Sequence, residues 1–291
     1  GHRRVYINDV LDFMKKYKAL KRIRVGISLI FLVLLGLFFL DFAGTFPTDF
    51  IRGVVFLQFV PSLLKFFNVF TWIATGFIVV FLLTLLFGRV YCSTICPLGI
   101  LQDVVSFIRR KIRKKKTKYR YLKAMNWLRY GILGLTVVFL ASGSIMVLSL
   151  FDPYSIFGRI VSDLFRPLLT EGNNLLAGLL NSFDVYALYQ VDLQPIHAGI
   201  IAIPIAFVVL VVWMSFTKGR LYCNTVCPVG TFLGLVSKLS LYQIRLNPTS
   251  CTKCGLCEKK CKSGCIDTKE QSVDFSRCVG CFNCLEVCPF S

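Results

Sequence analysis

The chain has 291 residues, of which 55% are hydrophobic, and it carries a net charge of +19. This combination excludes an ordinary soluble globular protein and is typical of a membrane protein with basic flanking segments. The basic residues gather at the ends of apolar runs and do not form a face with interleaved aromatic residues. The composition therefore argues against nucleic acid as a partner.

Four apolar runs predict transmembrane helices, because a helix needs about 20 residues to cross the hydrocarbon core. They are Val25 to Leu40, Phe66 to Phe87, Tyr130 to Phe151 and Ile196 to Thr217. The run Val54 to Leu64 is too short to cross. We expect it to lie at the membrane interface or to re-enter the membrane, with a break at Pro61.

The distribution of basic residues predicts the orientation, since short positively charged loops stay in the cytoplasm. Lysines and arginines crowd the segment before the first run and the segment Arg109 to Lys116. The connection from Asp152 to Pro195 holds more acidic than basic residues, as expected of an exported loop. The sequence thus predicts a multi-pass protein of the bacterial cytoplasmic (inner) membrane with both termini in the cytoplasm. Lipid headgroups are the expected partners of the basic runs.

Residues 88–99 and 219–230 form an internal repeat in which eight of twelve positions are identical. Each segment follows the second span of a helical hairpin, which predicts two parallel hairpin repeats about a pseudo-two-fold axis along the membrane normal. Such an axis brings Cys92 and Cys96 opposite Cys223 and Cys227. Four thiolates suit one shared iron–sulfur cluster or one tetrahedral metal ion.

The prolines of the repeat suit the first turn of a helix, so Cys96 and Cys227 are predicted N-cap residues. Amphipathic helices are expected to follow along the membrane surface, at Leu98 to Ile108 and at Val229 to Leu239. Two roles remain open for Arg89 and Arg220, which could offset the charge of a cluster or snorkel at the end of a span.

Inert buried thiols, disulfides and zinc are the alternatives for the four repeat cysteines. The reducing cytoplasm disfavours disulfides, and recurrence of the whole motif favours a cluster. A structural zinc ion would be redundant beside redox centres.

The C-terminal cysteines have the spacing of a bacterial two-cluster ferredoxin, in which the fourth cysteine of each run binds the other cluster. Cluster one is predicted to use Cys251, Cys254, Cys257 and Cys288. Cluster two is predicted to use Cys278, Cys281, Cys284 and Cys261. Double zinc binding is the less favoured alternative.

Two other residues of this module depart from the usual pattern. Lys262 stands where proline usually follows the fourth cysteine of the first run. Cys265 is left over, and we interpret it as a small buried side chain rather than a ligand. The linker Leu241 to Ser250 is short, so the module is expected directly beneath the repeated membrane motifs.

With these motifs the chain resembles the membrane polyferredoxins with CxxxCP motifs, similar to NapH-type quinol dehydrogenase components and to the membrane part of NosR. The resemblance covers about Val25 to Pro289. It implies electron exchange with the quinone pool or with a flavoprotein or cytochrome. The sequence has no Cys-x-x-Cys-His haem site and nothing like an exported flavin domain. His197 is open to two interpretations, a hydrogen-bond or proton donor to quinone and a structural residue.

These observations predict an α-helical membrane protein with about four transmembrane helices and a C-terminal α+β ferredoxin module. The expected segments are 1–24 (basic, cytoplasmic), 25–126 (first hairpin), 127–245 (second hairpin) and 246–291 (two [4Fe–4S] clusters). The expected function is electron relay between a membrane partner and cytoplasmic-side clusters, as a subunit of an oxidoreductase complex without catalytic residues of its own. A membrane redox sensor or assembly factor and a metal reductase are the alternatives.

Overall fold

A computed structural model describes residues 10–41, 46–69, 75–112, 119–183, 189–191 and 198–288. The helices of the first half are α1 Val10–Leu40, α2 Thr48–Phe56, α3 Phe59–Val69, α4 Gly76–Phe87, α5 Tyr91–Thr94 and α6 Pro97–Ile112. The second half contains α7 Asn126–Ala141, α8 Met146–Phe151, α9 Pro153–Arg159, a π-helical segment Ile160–Phe165, α10 Arg166–Asn181, α11 Ala198–Lys218, α12 Leu221–Thr225 and α13 Pro228–Ser237. The C-terminal module contains α14 Leu256–Lys260, β1 Ile266–Asp267 and β2 Ser272–Val273.

Two described helices are long and apolar enough to cross a membrane, over Ala19–Leu40 in α1 and Ile201–Lys218 in α11. They correspond to the first and fourth predicted spans. Large apolar side chains on them face outward, including Val33 with 57% of its surface exposed and Val209 with 62%. Such exposed apolar surface is costly in water, which supports a membrane protein.

The second and third predicted spans are wrong as single helices. The second contains the end of α3 and the 12-residue α4, which is shorter than the about 20 residues that a span needs. In the third, α7 ends at Ala141 and Gly143 takes a left-handed conformation with φ +82°. Glycine adopts this conformation without steric cost, so the helix ends there and α8 begins after the turn.

The link between α2 and α3 forms a first return, in which the chain bends back toward the first CxxxCP motif in residues 88–99. The Tyr91 hydroxyl donates to Gln58 Oε1 at 3.2 Å and accepts from the Phe59 amide at 3.2 Å. The segment is broken, as the sequence predicted, but the break lies at Leu57 and Gln58 and not at Pro61. Pro61 lies in the first turn of α3, where a missing amide donor costs little.

A second return, between α8 and α9, brings the chain back toward the second CxxxCP motif in residues 219–230. The Tyr222 hydroxyl of the second motif donates to the Phe151 carbonyl at 3.2 Å. Asp152 then caps α9 by accepting from the Ser155 amide at 2.9 Å. The connection from Asp152 that the sequence predicted to be exported is helical over Pro153–Asn181, and its side of the membrane stays a prediction. Asp152 and Pro153 together form a strong helix start, which the count of acidic residues concealed.

Both helices that follow the CxxxCP motifs begin at their proline, as predicted. They pack inside the helix bundle: α6 contacts α1, α9 and α11, and α13 contacts α4 and α7. The C-terminal module has an antiparallel pair of strands, with Ile266 opposite Val273, next to α14. This arrangement agrees with the predicted α+β ferredoxin module.

The first return depends on Gly76 at the start of α4, because a Cβ there would lie 1.8 Å from the Phe56 carbonyl oxygen. We expect Gly76→Ala to destabilise the protein by about 2 kcal/mol or more, since the clash is with backbone. Gly131→Ala in α7 is the matched control, because nothing lies within 4 Å of its Cβ position. Thermal unfolding in detergent compares the two, and equal midpoints would contradict the close packing of α2 against α4.

Candidate iron–sulfur centres

Each CxxxCP motif is bound by an arginine that belongs to the other motif. Arg89 Nη2 donates to the Cys223 carbonyl at 2.9 Å, and Arg220 Nη1 donates to the Cys92 carbonyl at 2.6 Å. Both arginines are 0% exposed. The snorkelling interpretation is therefore wrong, because each guanidinium points into the protein and binds the opposite motif.

The glycine that ends each motif makes room for these arginine contacts. A Cβ on Gly99 would lie 2.3 Å from the Cys92 carbonyl oxygen, and a Cβ on Gly230 would lie 2.3 Å from the Cys223 carbonyl oxygen. The same carbonyls accept the arginine hydrogen bonds. Only glycine leaves room here, which explains why both copies of the motif end in it.

The four motif cysteines are buried, and the sulfurs of Cys96, Cys223 and Cys227 accept hydrogen bonds. Cys227 is the N-cap of α13, as predicted, and its Sγ accepts from the Gly230 amide at 3.2 Å. The Gly99 amide bonds to the Cys96 thiol in the same way. Gln102 Nε2 donates to Cys223 Sγ at 3.1 Å. Such donors stabilise thiolate sulfur, the form that binds metal.

The thiols of Cys96 and Cys227 are unfavourable as free anions. Burial raises the pKa of Cys96 and Cys227, and the charges of neighbouring cysteines in the set, Cys223 and Cys92 among them, raise it further. A cationic metal centre removes this repulsion, so the site fits an iron–sulfur cluster. Within the described ranges, no three His, Cys, Asp or Glu side chains are close enough to hold a single metal ion. A cluster has a volume of its own and keeps its ligands further apart than one ion does.

The predicted ligands of cluster one meet at one pocket of the C-terminal module. Cys251, Cys254 and Cys257 from the first run and Cys288 from the second all line it. The crossing of the two runs is thus present in the fold. Cys254 is exposed, so this pocket lies at the protein surface.

The predicted ligands of cluster two also lie together. Burial raises the pKa of Cys284, and the nearby Cys281, Cys278 and Cys261 raise it further. Cys265 is 2% exposed, as the sequence predicted. Its sulfur lies 3.5 Å from Cys261 Sγ, and its thiol also forms a hydrogen bond with Cys278. The sequence did not predict that Cys265 would lie between two ligand cysteines, because spacing alone carries no signal for that contact.

The C-terminal module docks on both CxxxCP motifs through two loops. Arg220 donates its backbone amide to the Lys262 carbonyl at 3.0 Å, and Asn224 Nδ2 donates to the Ser263 carbonyl at 3.1 Å. On the other motif, Arg89 Nη1 donates to the Ser276 carbonyl at 2.9 Å. Cys281 belongs to the same buried apolar cluster as the motif cysteines Cys92, Cys96 and Cys227. The module therefore lies directly against the motifs, as the short linker predicted.

Asp103 on α6 collects three buried cations, which the sequence did not predict. It lies 2.8 Å from Arg220, 3.2 Å from Lys262 and 3.6 Å from Arg24. Burial acts to raise the pKa of Asp103, but Arg220 and Lys262 hold it well below its ordinary value. The lysine that replaces the usual proline thus ties the module to α6. A single acidic residue in an otherwise apolar stretch after the first motif is the signal that could have indicated this ion pair.

His197 lies outside the described residues, as do Lys114 to Lys116 of the basic segment. Of the twelve predicted cluster ligands, all are described. They form three groups: the motif set Cys92, Cys96, Cys223 and Cys227, and the two sets of the C-terminal module.

Comparisons with known proteins agree with this arrangement. A 4Fe–4S binding domain family matches residues 69–115 and again 200–247, and a 4Fe–4S dicluster domain family matches residues 242–291. The protein MJ0750 of Methanocaldococcus jannaschii is 26% identical, over 94% of each chain. No solved structure matches the chain.

Two other relatives carry names that describe a function. The putative electron transport protein YccM of Escherichia coli is 26% identical over 71% of this chain and 50% of its own. The ferredoxin-type protein NapH of Haemophilus influenzae is 24% identical over 72% of this chain and 63% of its own. This chain thus spans between half and two thirds of these two relatives. The paired 4Fe–4S matches and these relatives support a NapH-like membrane-bound polyferredoxin.

Proposed function

We propose that the chain is an iron–sulfur electron-transfer protein that relays single electrons between a membrane partner and an electron carrier on the cytoplasmic side. The observation that supports this role most directly is the docking of the ferredoxin module on the two CxxxCP motifs. Relatives named as ferredoxin-type and electron transport proteins support the role.

The proposed cofactors are two [4Fe–4S] clusters in the C-terminal module and one further iron–sulfur cluster shared by Cys92, Cys96, Cys223 and Cys227. When bound, such clusters supply reversible one-electron redox chemistry. The chain's own residues hold the sulfur ligands, donate hydrogen bonds to them and keep water away. The shared site is buried, with 2–3% exposure at each of its cysteines.

The three cysteine sets have an order in space. The cluster-two set lies next to the motif set, because Cys281 packs in the apolar cluster of the motifs. The cluster-one set lies at the surface, with Cys254 exposed beside the exposed lysines Lys253, Lys259 and Lys260. We propose that a cytoplasmic redox partner with an acidic surface docks at this edge, since opposite charges steer transient complexes.

An apolar cavity supports a lipid-soluble partner on the membrane side. Its volume is about 430 Å³, and Thr136 is the one lining residue with a polar side-chain atom. Pro228 and Val229, which follow the ligand Cys227, form part of its wall. The remaining lining residues are Phe59, Val60, Leu63, Phe77, Ile78, Phe81, Leu133, Val137, Leu140, Leu148 and Phe232. This wall suits the isoprenoid tail of a quinol.

The proposed topology keeps the CxxxCP motifs, the ferredoxin module and both termini on the cytoplasmic side of the inner membrane. Two similar halves support it: each has a helix pair broken by a return to the motif tyrosine and a last helix that leads into the motif. We retain the parallel-repeat hypothesis, with α1 and α11 as spans and the broken helices completing each half.

The alternatives make different demands on the chain. A redox sensor or assembly factor needs clusters but no rapid turnover, and a metal reductase needs polar ligands near its substrate ion. The apolar wall beside Cys227 favours quinol over a metal ion.

Iron analysis tests the shared site. We expect about twelve irons per chain in the anaerobically purified protein and about eight in the Cys92→Ser/Cys223→Ser variant, because one [4Fe–4S] cluster is lost. Cys265→Ala is the control and should keep the wild-type iron and sulfide content. Equal iron in the wild type and the double serine variant would exclude the shared cluster, and zinc in place of iron would exclude the relay.

Tryptophan substitution tests the cavity. Val137 lines it and Val138 does not, yet both are exposed, at 56% and 65%. We expect Val137→Trp to raise the KM for a short-chain quinol about tenfold, a loss of about 1.4 kcal/mol in binding. Val138→Trp should behave as wild type, and dithionite should reduce both variants normally. Equal quinol kinetics in the two variants would contradict a quinol in this cavity.

A further inference from the structure

Arg89 and Arg220 lie between the motif cysteines and the cluster-two cysteines. Arg89 binds the carbonyl of Cys223 and the carbonyl of Ser276, which precedes Cys278 by two residues. Arg220 binds the Cys92 carbonyl with its side chain and the Lys262 carbonyl with its backbone amide. Lys262 directly follows Cys261. Each arginine thus connects a ligand of the motif set to the peptide beside a ligand of cluster two.

This interface holds more buried positive than negative charge. Arg24, Arg220 and Lys262 share the single carboxylate of Asp103. Within the part of the chain that the structure describes, Arg89 and Arg129 make no ion pair with a carboxylate, although both are at most 1% exposed. Buried cations without a counter-charge are costly. Anionic centres on either side, formed by the motif cysteines and the cluster-two cysteines, supply that counter-charge.

We propose that Arg89 and Arg220 are positioning residues that raise the reduction potentials of the shared motif cluster and of cluster two. They also set the register of the two sites, that is, their distance and relative orientation. The inference rests on the proposed function, because it requires clusters at both sites. An electron added to either site increases its negative charge, and a nearby buried cation stabilises that state. Neither arginine side chain hydrogen-bonds to a residue of the cluster-one pocket, so cluster one serves as an internal reference.

Charge and geometry can be separated at Arg89. Its guanidinium makes three hydrogen bonds of 2.9 Å, to Asn224 Oδ1, to the Ser276 carbonyl and to the Cys223 carbonyl. Lysine keeps the charge but cannot reproduce this planar fork. Arg89→Lys therefore tests the register, and Arg89→Gln tests the charge.

EPR-monitored redox titration is the experiment, with iron and sulfide analysis on each sample. In Arg89→Gln we expect the reduction equilibria of the shared cluster and cluster two to shift about tenfold toward the oxidised form, about 59 mV for a one-electron couple. Cluster one should not shift. Arg89→Lys should keep both potentials but change the magnetic interaction between the two reduced sites.

Arg109→Gln is the matched control for loss of a buried arginine. Arg109 is 9% exposed and donates to the Thr217 carbonyl at 2.9 Å, and its other neighbours are the rings of Tyr119 and Phe216. This variant should leave all three potentials unchanged. Asp103→Asn removes a negative charge and should shift the same two sites toward the reduced form, while Asp103→Asn/Arg220→Gln, with no change in net charge, should return them near wild type.

The outcomes separate the inference from the proposed function. Wild-type iron in Arg89→Gln or Asp103→Asn with unchanged potentials, or an equal shift of cluster one, overturns the inference and leaves the relay intact. A wild-type protein without a third cluster signal defeats the proposed shared site itself. If Arg89→Gln does not assemble its clusters, Asp103→Asn tests the inference alone. A shift of the shared cluster and cluster two toward the reduced form supports it, and unchanged potentials overturn it.

Discussion

Two buried guanidinium groups cross between the CxxxCP motifs, and each binds the carbonyl of the other motif's first cysteine. A buried arginine has five donors that must find acceptors, so its position is defined by the backbone around it. Because two of the acceptors are the carbonyls of Cys92 and Cys223, these hydrogen bonds also position the first cysteine of each motif. The motif glycines, the docking loops of the ferredoxin module and Asp103 all meet these same two side chains.

The broken helices cover the motif site. In each half the chain turns back until its backbone or a buried amide reaches the motif tyrosine, at Gln58 for Tyr91 and at Phe151 for Tyr222. A continuous span could not supply such partners, because all its backbone groups are bonded within the helix. The returns therefore satisfy polar groups that the motifs bury, and they help to enclose the four motif cysteines in protein.

Some of this architecture follows from sequence and some does not. Cysteine spacing predicted three ligand sets, because loops around a cluster have short, fixed lengths, and the cluster-one set meets at one pocket. Hydropathy predicted α1 and α11 but not the break between α3 and α4 or the one at Gly143, since it measures apolarity and does not distinguish one helix that spans from two shorter ones. The roles of Arg89 and Lys262 were not predictable, because their partners, Ser276 and Asp103, are distant in sequence.

The two motifs are nearly identical, but the residues that follow them differ where the ferredoxin module binds. Asp103 lies four residues after Gly99, and Gly234 lies four residues after Gly230. Asp103 binds Lys262, whereas a Cβ on Gly234 would lie 2.5 Å from the Ser276 carbonyl oxygen. One half thus recognises the module by charge and the other by close backbone approach. The module therefore docks with Lys262, next to Cys261, at Arg220 and with Ser276, two residues before Cys278, at Arg89.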